Sequence, residues 1–501
     1  MGHRAVIVGA GFGGLAAGLR LQAAGVETTI LERQANVGGK ARNHTVAGEP
    51  IPGGPSVMTM RTVFDELFAL AGEPLGARVT LKPLDVLAHH RWSPAEQLDL
   101  FLDIDRTADA IADFAGSAEA DGYRKFVAAA QAIFATVDGP FIHSPKPDLI
   151  GLARAMGLSG ASTIKPFDTM WSALGTHFSD PRLRQLFGRY ATYCGSSPFD
   201  ATATLMLVAH VEQAGVWAPE GGMAALAKGL ADAFVDLGGN IERSAPVQQI
   251  VVERGRAKGV ATEGSQYPAD TVVYAGDVAA LGAGMLGAAP ARAAGKVSPK
   301  QRSLSAVTLC GRIAGPQPFG HHTVAFSGDY RAEFDNLFGA RKRPDEPTIY
   351  VFVPSETPRE DGSQGALIVM NAPADGDMHG YTADDGRACV AEALATLSRC
   401  DLATSLEDVV VTTPGDFHAL LPGTGGALYG RHSHGWSAAF QRPQLRTKVK
   451  GLYLAGGSVH PGPGVPMAAL SGRMAAECLM KDFDLQSPPP QAVTSGGILT
   501  A

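Results

Sequence analysis

The order of apolar and polar positions sets out strands and helices from the first residues onward. An apolar run at 5–8 feeds a glycine-rich turn, and the residues after it suit a helix with Leu15, Gly18 and Leu19 on one face. A second apolar run at 26–31 stops at Glu32. Val63, Phe64, Leu67 and Phe68 recur at helical spacing and predict an amphipathic helix over 59–71. Residues 100–210 read mostly as helix, over 105–115, 121–135, 181–193 and 201–213. A helix over 224–237 ends at Gly238 and Gly239, the residue type favoured just past a helix C-terminus. Strands follow at 248–253, 259–263 and 271–274. The stretch 300–412 offers strands at 303–313, 324–326, 348–353 and 366–371, then a helix over 384–398. Near the end, a buried strand at 452–455 precedes a helix over 468–480.

Two apolar stretches bear on membranes. The uncharged run 451–472 is long enough to cross a bilayer, but Pro461, Gly462, Pro463, Gly464 and Pro466 crowd it beyond what a lipid-exposed helix tolerates. No span is expected there. The stretch 150–167 carries only Arg154 and Lys165 for charge. It reads either as a helix lying on a membrane surface or as a buried helix or loop over the core. The tail 486–501, with Pro488, Pro489 and Pro490, reads as disordered.

Composition narrows the class. A chain of 501 residues has room for two or more domains and a large core. Hydrophobic residues at 45% and charged residues at 18% describe a globular protein with a rather apolar surface. A net charge of −7 argues against a nucleic-acid partner, which calls for a basic balance or stripe. The five cysteines are widely spaced without a C-x-x-C, as reduced thiols in a cytoplasmic setting would be. No secretory signal is visible, because the first strand occupies the N-terminus.

The chemistry concentrates in glycine-rich turns. Gly9, Gly11 and Gly14 form G-x-G-x-x-G between the first strand and helix, with Glu32 and Arg33 after the second strand. That is the spacing of a dinucleotide fold: the glycines permit a tight turn, close approach to a pyrophosphate and tight helix packing, and the acid takes ribose hydroxyls. Unpaired N–H groups at the helix start supply the anion site. Gly38-Gly39-Lys40-Ala41-Arg42 and Gly53-Gly54-Pro55-Ser56 alone would be tight turns. After a dinucleotide unit they offer N–H groups and cations to a second phosphate and a flavin ring. G-x-S-x-G, H-E-x-x-H and Walker A patterns are absent. His321-His322 and His432-x-His434 lack companion ligands and read as surface or pocket histidines, so no metal is expected.

These residues resemble the flavoprotein amine-oxidase and carotenoid-desaturase superfamily, in which G-x-G-x-x-G, a ribose acid and G-G-[KR] bind FAD. The run Gly451 to Met467, with His460-Pro461-Gly462-Pro463-Gly464-Val465-Pro466, is similar to the phytoene-desaturase signature. It departs from the usual pattern at Val459 and Pro463, and relatives often carry an acid or glycine at Ser458. The resemblance implies an α/β fold: a Rossmann-like FAD-binding domain from 1–100, 214–290 and 413–485, a helical insert 101–213 facing substrate or membrane, and a substrate domain 291–412 with an antiparallel sheet. It implies cofactor contacts at Gly9, Gly11, Gly13, Gly14, Glu32, Arg33, Gly38, Gly39, Lys40, Arg42, Gly54, Pro55 and Ser56. It adds Val247 beside the adenine and Gly456, Gly457, Ser458, Val465, Pro466 and Met467 as a second flavin wall.

Tyr190-Ala-Thr-Tyr-Cys-Gly-Ser-Ser-Pro-Phe199, Gly215-Val-Trp217 and Gly54-Pro55-Ser56-Val-Met-Thr-Met-Arg61 look like the bacterial hydroxyneurosporene and methoxyneurosporene desaturases. That branch implies an enzyme of photosynthetic carotenoid biosynthesis that introduces a C3–C4 double bond into an acyclic 1-hydroxycarotenoid, with hydride transfer to flavin N5. The alternatives are phytoene desaturation or carotenoid isomerisation on the same fold, and, from another class, a lipid escort without redox work. A C40 substrate lodged in a bilayer implies a cytoplasmic enzyme held peripherally on the inner or photosynthetic membrane. The electron acceptor stays open between oxygen, a quinone and another carrier. The sequence names no catalytic residue; His460 and Glu220 are candidates by position only.

Overall fold

The computed structural model describes residues 2–147, 167–315 and 319–486, together with the backbone of Ala492–Val493 and Leu499–Thr500. Apolar runs from the start, middle and end of the chain converge in one five-stranded sheet. Its order is Leu452–Leu454, Thr271–Tyr274, Arg4–Val8, Glu27–Leu31, Asn240–Glu242, and every neighbouring pair is parallel. A parallel sheet covered on both faces needs strands apolar throughout, and all four residues of Thr271–Tyr274 are buried.

Small residues decide how the helices close on this sheet. The helix Phe12–Ala23 lies along the helix Val465–Asp482, and Gly472 sits against the Gly13 carbonyl and the Ala17 amide. Any side chain at Gly472 would collide with that carbonyl, so glycine sets the spacing of the two axes. On the other flank, Phe234 of the helix Gly222–Asp236 covers Gly18, where a Cβ would come within 3.1 Å of the ring and 2.9 Å of Ile30.

A seven-stranded sheet forms the second layer, in the order Ser405–Thr412, Ser305–Ala314, Gln364–Ala372, Ile349–Phe352, His322–Ala325, Val86–Ser93, Glu96–Phe101. Its pairs are antiparallel except His322–Ala325 beside Val86–Ser93. The last two strands come from the 1–100 block expected to bind nucleotide. They pair instead with the substrate sheet, Val86–Ser93 beside His322–Ala325, with Ala88, His90 and Trp92 alternating inward against His89, Arg91 and Ser93. The helix Ala383–Arg399, opened by a Thr382–Asp385 capping box, seals one face with Cys389, Ala393 and Leu397.

The helical layer comprises Ile104–Ala115, Ser117–Val137, Met170–Leu174, Pro181–Gly188 and Leu207–Gln213. Phe187 at its centre packs on Phe126 and Phe178 with ring centroids 4.6 and 4.9 Å away. The helices expected over 181–193 and 201–213 are each divided. The first tightens into a 3-10 turn at Arg189–Cys194 and ends at Gly195, whose φ is +61°. The second opens as a 3-10 turn at Ala203–Met206. The stretch 150–167, read as a membrane-surface helix or as a buried helix or loop over the core, falls outside the described residues except at Phe167. Most of the tail expected to be disordered does too, although Ala492–Val493 pairs antiparallel with Leu499–Thr500.

Candidate active site

The strand ends and glycine turns of the parallel sheet open into a cavity of about 1190 Å³ that continues between the helical layer and the seven-stranded sheet. Its cradle end brings together the two glycine-rich ends of the chain. A Cβ on Gly13 would lie 2.7 Å from the Gly456 amide nitrogen, so only glycine permits this approach. Gly14 packs on the Gly9 carbonyl, in keeping with the helix–strand role of a third glycine, and does not itself line the cavity. Both flanking helices begin without a side-chain cap, Phe12–Ala23 after Gly11 and Val465–Asp482 after Gly464. Their free N–H groups and positive dipole ends therefore border the same space.

Glu32 is buried, and its carboxylate accepts from the Ala10 amide (2.7 Å) and the Gln34 amide (2.8 Å). It thus fixes the turn around Ala10 and Gln34, a role beyond the ribose contact expected of it, while still lining the cavity. Gly38 and Gly39 hold positive φ (+107° and +61°), and the Gly38 amide donates to the Ala10 carbonyl at 2.8 Å. Gly54 lies flat against the Lys40 carbonyl, leaving no room for a side chain.

Two cations are sunk in this end. The Lys40 ammonium donates to the Leu428 carbonyl, and burial lowers its pKa, with Asp277 opposing and Arg442 reinforcing that shift. Arg442 donates to the Tyr429 carbonyl (3.1 Å) and the Arg431 carbonyl (2.8 Å); burial lowers its pKa as well. Cations bonded to carbonyls rather than carboxylates leave an unbalanced positive field, which suits an anionic ligand. The side-chain-free cradle, uncapped helix starts and paired cations fit FAD.

Most of the expected cofactor contacts line this cavity: Gly9, Gly11, Gly13, Glu32, Arg33, Gly38, Gly39, Lys40, Gly54, Pro55, Ser56, Val247, Gly456, Gly457, Ser458, Val465, Pro466 and Met467. Arg42 does not; its guanidinium lies 5.6 Å from the ring centroid of Phe417, which is itself part of the lining. Ser458 Oγ accepts from the Val278 amide at 3.1 Å, which ties it to the loop after Thr271–Tyr274. Neither positional catalytic candidate reaches the cavity lining. His460 is buried with Nε2 on the Ser144 carbonyl at 2.8 Å, and Glu220 is exposed.

Beyond the cradle the walls are largely apolar, with Phe134, Phe141, Val208, Val211, Leu367 and Val369. Phe167 (81% exposed) and Trp436 (50% exposed) also border the cavity, 6.0 Å apart, so large apolar side chains stand at an opening to solvent. One wall differs. Arg189 donates to Tyr193 Oη at 2.8 Å, and Tyr193 and Tyr190 donate to the two Glu212 oxygens at 2.8 and 2.7 Å. Burial opposes the Arg189 cation, but Tyr193, Glu212 and Tyr190 outweigh it and hold its pKa above the ordinary value. Ser56 Oγ lies 2.7 Å from Tyr350 Oη, and His322 Nδ1 lies 2.6 Å from the same hydroxyl. Burial pushes the His322 pKa down to about 3, so its ring is neutral. A further buried acid, Glu333, accepts from Thr348 (2.7 Å) and Ser327 (2.8 Å), and burial raises its pKa.

Sequence reasoning did not single out Arg189, Glu212 or Tyr350. Arg189 and Tyr193 are four residues apart in a stretch read as helix, which gives no hint that they meet Glu212. His321 and His322 are buried, and no cluster able to hold a metal occurs among the described residues.

The family described as "Flavin containing amine oxidoreductase" matches residues 12–480. The "Hydroxyneurosporene desaturase" of Rubrivivax gelatinosus is 45% identical over 509 residues, covering 99% of this chain and 97% of that protein. A "1-hydroxycarotenoid 3,4-desaturase" of Flavobacterium sp. is 27% identical over 497 residues, covering 95% and 99%. Among solved structures, wild-type putrescine oxidase bound to putrescine superposes with a TM-score of 0.61 at 17% identity, covering 96% of this chain and 99% of that one. That likeness concerns the fold.

Proposed function

This chain belongs to the flavin containing amine oxidoreductase family, and we propose that it is an FAD-dependent desaturase that introduces a C3–C4 double bond into an acyclic 1-hydroxycarotenoid of the hydroxyneurosporene type. The observation that carries this reading is the continuity of one cavity. It runs from a glycine cradle with buried cations into an apolar chamber edged by Phe167 and Trp436.

When bound, FAD supplies a hydride acceptor at flavin N5. Gly9, Gly11, Gly13 and Gly456 would take its pyrophosphate and ribityl chain close to the backbone, and Lys40 and Arg442 would balance its negative charge. The apolar walls hold the polyene and exclude water from the reacting carbons. In the substrate, C4 adjoins the conjugated chain, so positive charge developing there is spread over the polyene and the demand for a strong protein base at C3 falls. Glu212 and Glu333 are consistent with this, since each is already engaged by hydroxyl groups.

A bilayer-soluble substrate has to pass between lipid and this cavity. The exposed Phe167 and Trp436 suit a peripheral seat on a membrane surface, and among the described residues no helix is long and apolar enough to cross one. The test is to offer single carotenoids in liposomes to the purified enzyme and identify the products. A product of 1-hydroxyneurosporene lacking two hydrogens, with a new C3–C4 double bond, supports the reading. Action on phytoene alone, double-bond isomerisation alone, or binding without conversion would overturn it.

A further inference from the structure

The polar wall of the cavity is costly where it stands. An ion pair bridged by a tyrosine, and a second tyrosine held between a serine and a histidine, face a chamber otherwise built for hydrocarbon. Burying such groups against a plain polyene would strip their hydration and return nothing. Their parts come from five separate places: the loop at Ser56, the 3-10 turn Arg189–Cys194, the helix Leu207–Gln213, the strand His322–Ala325 and the strand Ile349–Phe352. Arg189 and Glu212 both act electrostatically on Tyr350, so the two groups form one polar island.

Its position matters as much as its polarity. Ser56 follows Gly54 and Pro55 in the turn beside Lys40, so the island adjoins the cradle end of the cavity. In a 1-hydroxycarotenoid the hydroxyl-bearing carbon is separated from C3 by one carbon. Whatever grips that oxygen must therefore sit beside the bond that reacts, not at the far end of the chamber.

We propose that the Ser56–Tyr350 pair, set by His322 and flanked by the Arg189–Tyr193–Glu212 network, seats the substrate's tertiary hydroxyl and so fixes which carbon–carbon bond is presented for desaturation. The hydrogen-bond count supports Ser56 as the open end. If Tyr350 donates to His322 Nδ1, Ser56 donates to Tyr350 and keeps an acceptor lone pair for the ligand. If His322 donates instead, Tyr350 donates to Ser56, whose own proton is then free. Either arrangement leaves one complementary partner for an alcohol, and none for a hydrocarbon end group. Sites that hydrogen-bond a substrate hydroxyl reject analogues lacking it far more strongly than apolar pockets reject an extra methylene.

Because the proposal rests on the desaturase reading above, its test compares two substrates in one preparation of full-length, flavin-loaded enzyme. The pair is 1-hydroxyneurosporene and neurosporene, which lacks the hydroxyl. In Tyr350→Phe, the ratio of kcat/KM for the hydroxylated substrate to that for neurosporene should fall about tenfold or more, so that the preference collapses. A wild-type preference retained in Tyr350→Phe would overturn the proposal while leaving the desaturase reading intact. Wild-type enzyme converting neither substrate would instead sink the underlying reading. Should Tyr350→Phe fail to retain flavin, Ser56→Ala carries the same test. The ratio is internal, so any effect on flavin strikes both substrates alike, and an unchanged ratio there overturns the proposal.

Discussion

Gly13 and Gly456 meet backbone to backbone, at a spacing where a Cβ on the first would stand 2.7 Å from the amide nitrogen of the second. Through this contact the head and tail of the chain form one cradle. Gly472, about two turns into the helix Val465–Asp482, repeats the device against the Gly13 carbonyl.

Substituting either glycine should therefore cost both stability and cofactor. Gly13→Ala and Gly472→Ala each force backbone apart in a packed core, for about 1–3 kcal/mol or more. Flavin absorbance per purified protein should drop sharply in Gly13→Ala, and thermal scans of both variants should show a midpoint several degrees lower. Full flavin content in Gly13→Ala would remove the cradle from the account.

Glu32 carries a separate prediction. Its carboxylate accepts from the Ala10 and Gln34 amides inside the turn. In Glu32→Ala those amides lose charge-assisted bonds, which contribute about 1.5–3 kcal/mol each, and the turn loosens. Titrating the apoprotein with FAD should show affinity reduced at least about tenfold, with Glu32→Gln falling between the variant and wild type.

Acid stability follows from His434. Its Nε2 accepts from the Ser197 amide at 3.0 Å, and burial, reinforced by His432, pushes its pKa from 6.5 down to about 3. Between those values the unfolded chain binds the proton and the native chain does not, so native stability falls as pH drops below 6.5. In His434→Gln the carboxamide oxygen can replace the acceptor without titrating. Denaturant curves between neutral and mildly acidic pH should then show a shallower loss than wild type, by at most about 1.4 kcal/mol per pH unit. Identical slopes would mean that His434 titrates normally.

The aromatic rim offers a functional test of membrane seating. Trp436→Ser removes a half-exposed indole beside Phe167. Sedimentation with liposomes should weaken several-fold, and turnover of carotenoid in vesicles should fall more than turnover of detergent-dispersed carotenoid. Equal losses in both would tie Trp436 to the reaction rather than to the surface.

The cradle was legible in the sequence because its determinants are local and punctuated by glycine. Gly9 to Gly14 and Glu32 sit in one strand–helix–strand unit, and Val465-Pro466-Met467 marks a helix start by composition. The polar island was not legible. Arg189, Glu212 and Tyr350 meet only after a helix has tightened into a 3-10 turn and a distant strand has crossed above it, and neither event leaves a periodic trace. The partner of Val86–Ser93 was not legible either. Val86–Ser93 alternates as a half-buried strand should, but alternation does not name a partner, and the strand joined His322–Ala325 rather than the nucleotide sheet. Spacing after Gly39 also does not aim a side chain: the Arg42 guanidinium lies over Phe417, a residue of the cavity lining.

Flavin and carotenoid held together in one cavity would pass electrons directly between them. Anaerobic mixing of the oxidised holoenzyme with 1-hydroxyneurosporene, followed by flavin absorbance in a single turnover, tests this most directly. The flavin should bleach in step with one equivalent of product carrying the C3–C4 double bond. A flavin that stays oxidised while the carotenoid is bound and unchanged would contradict it.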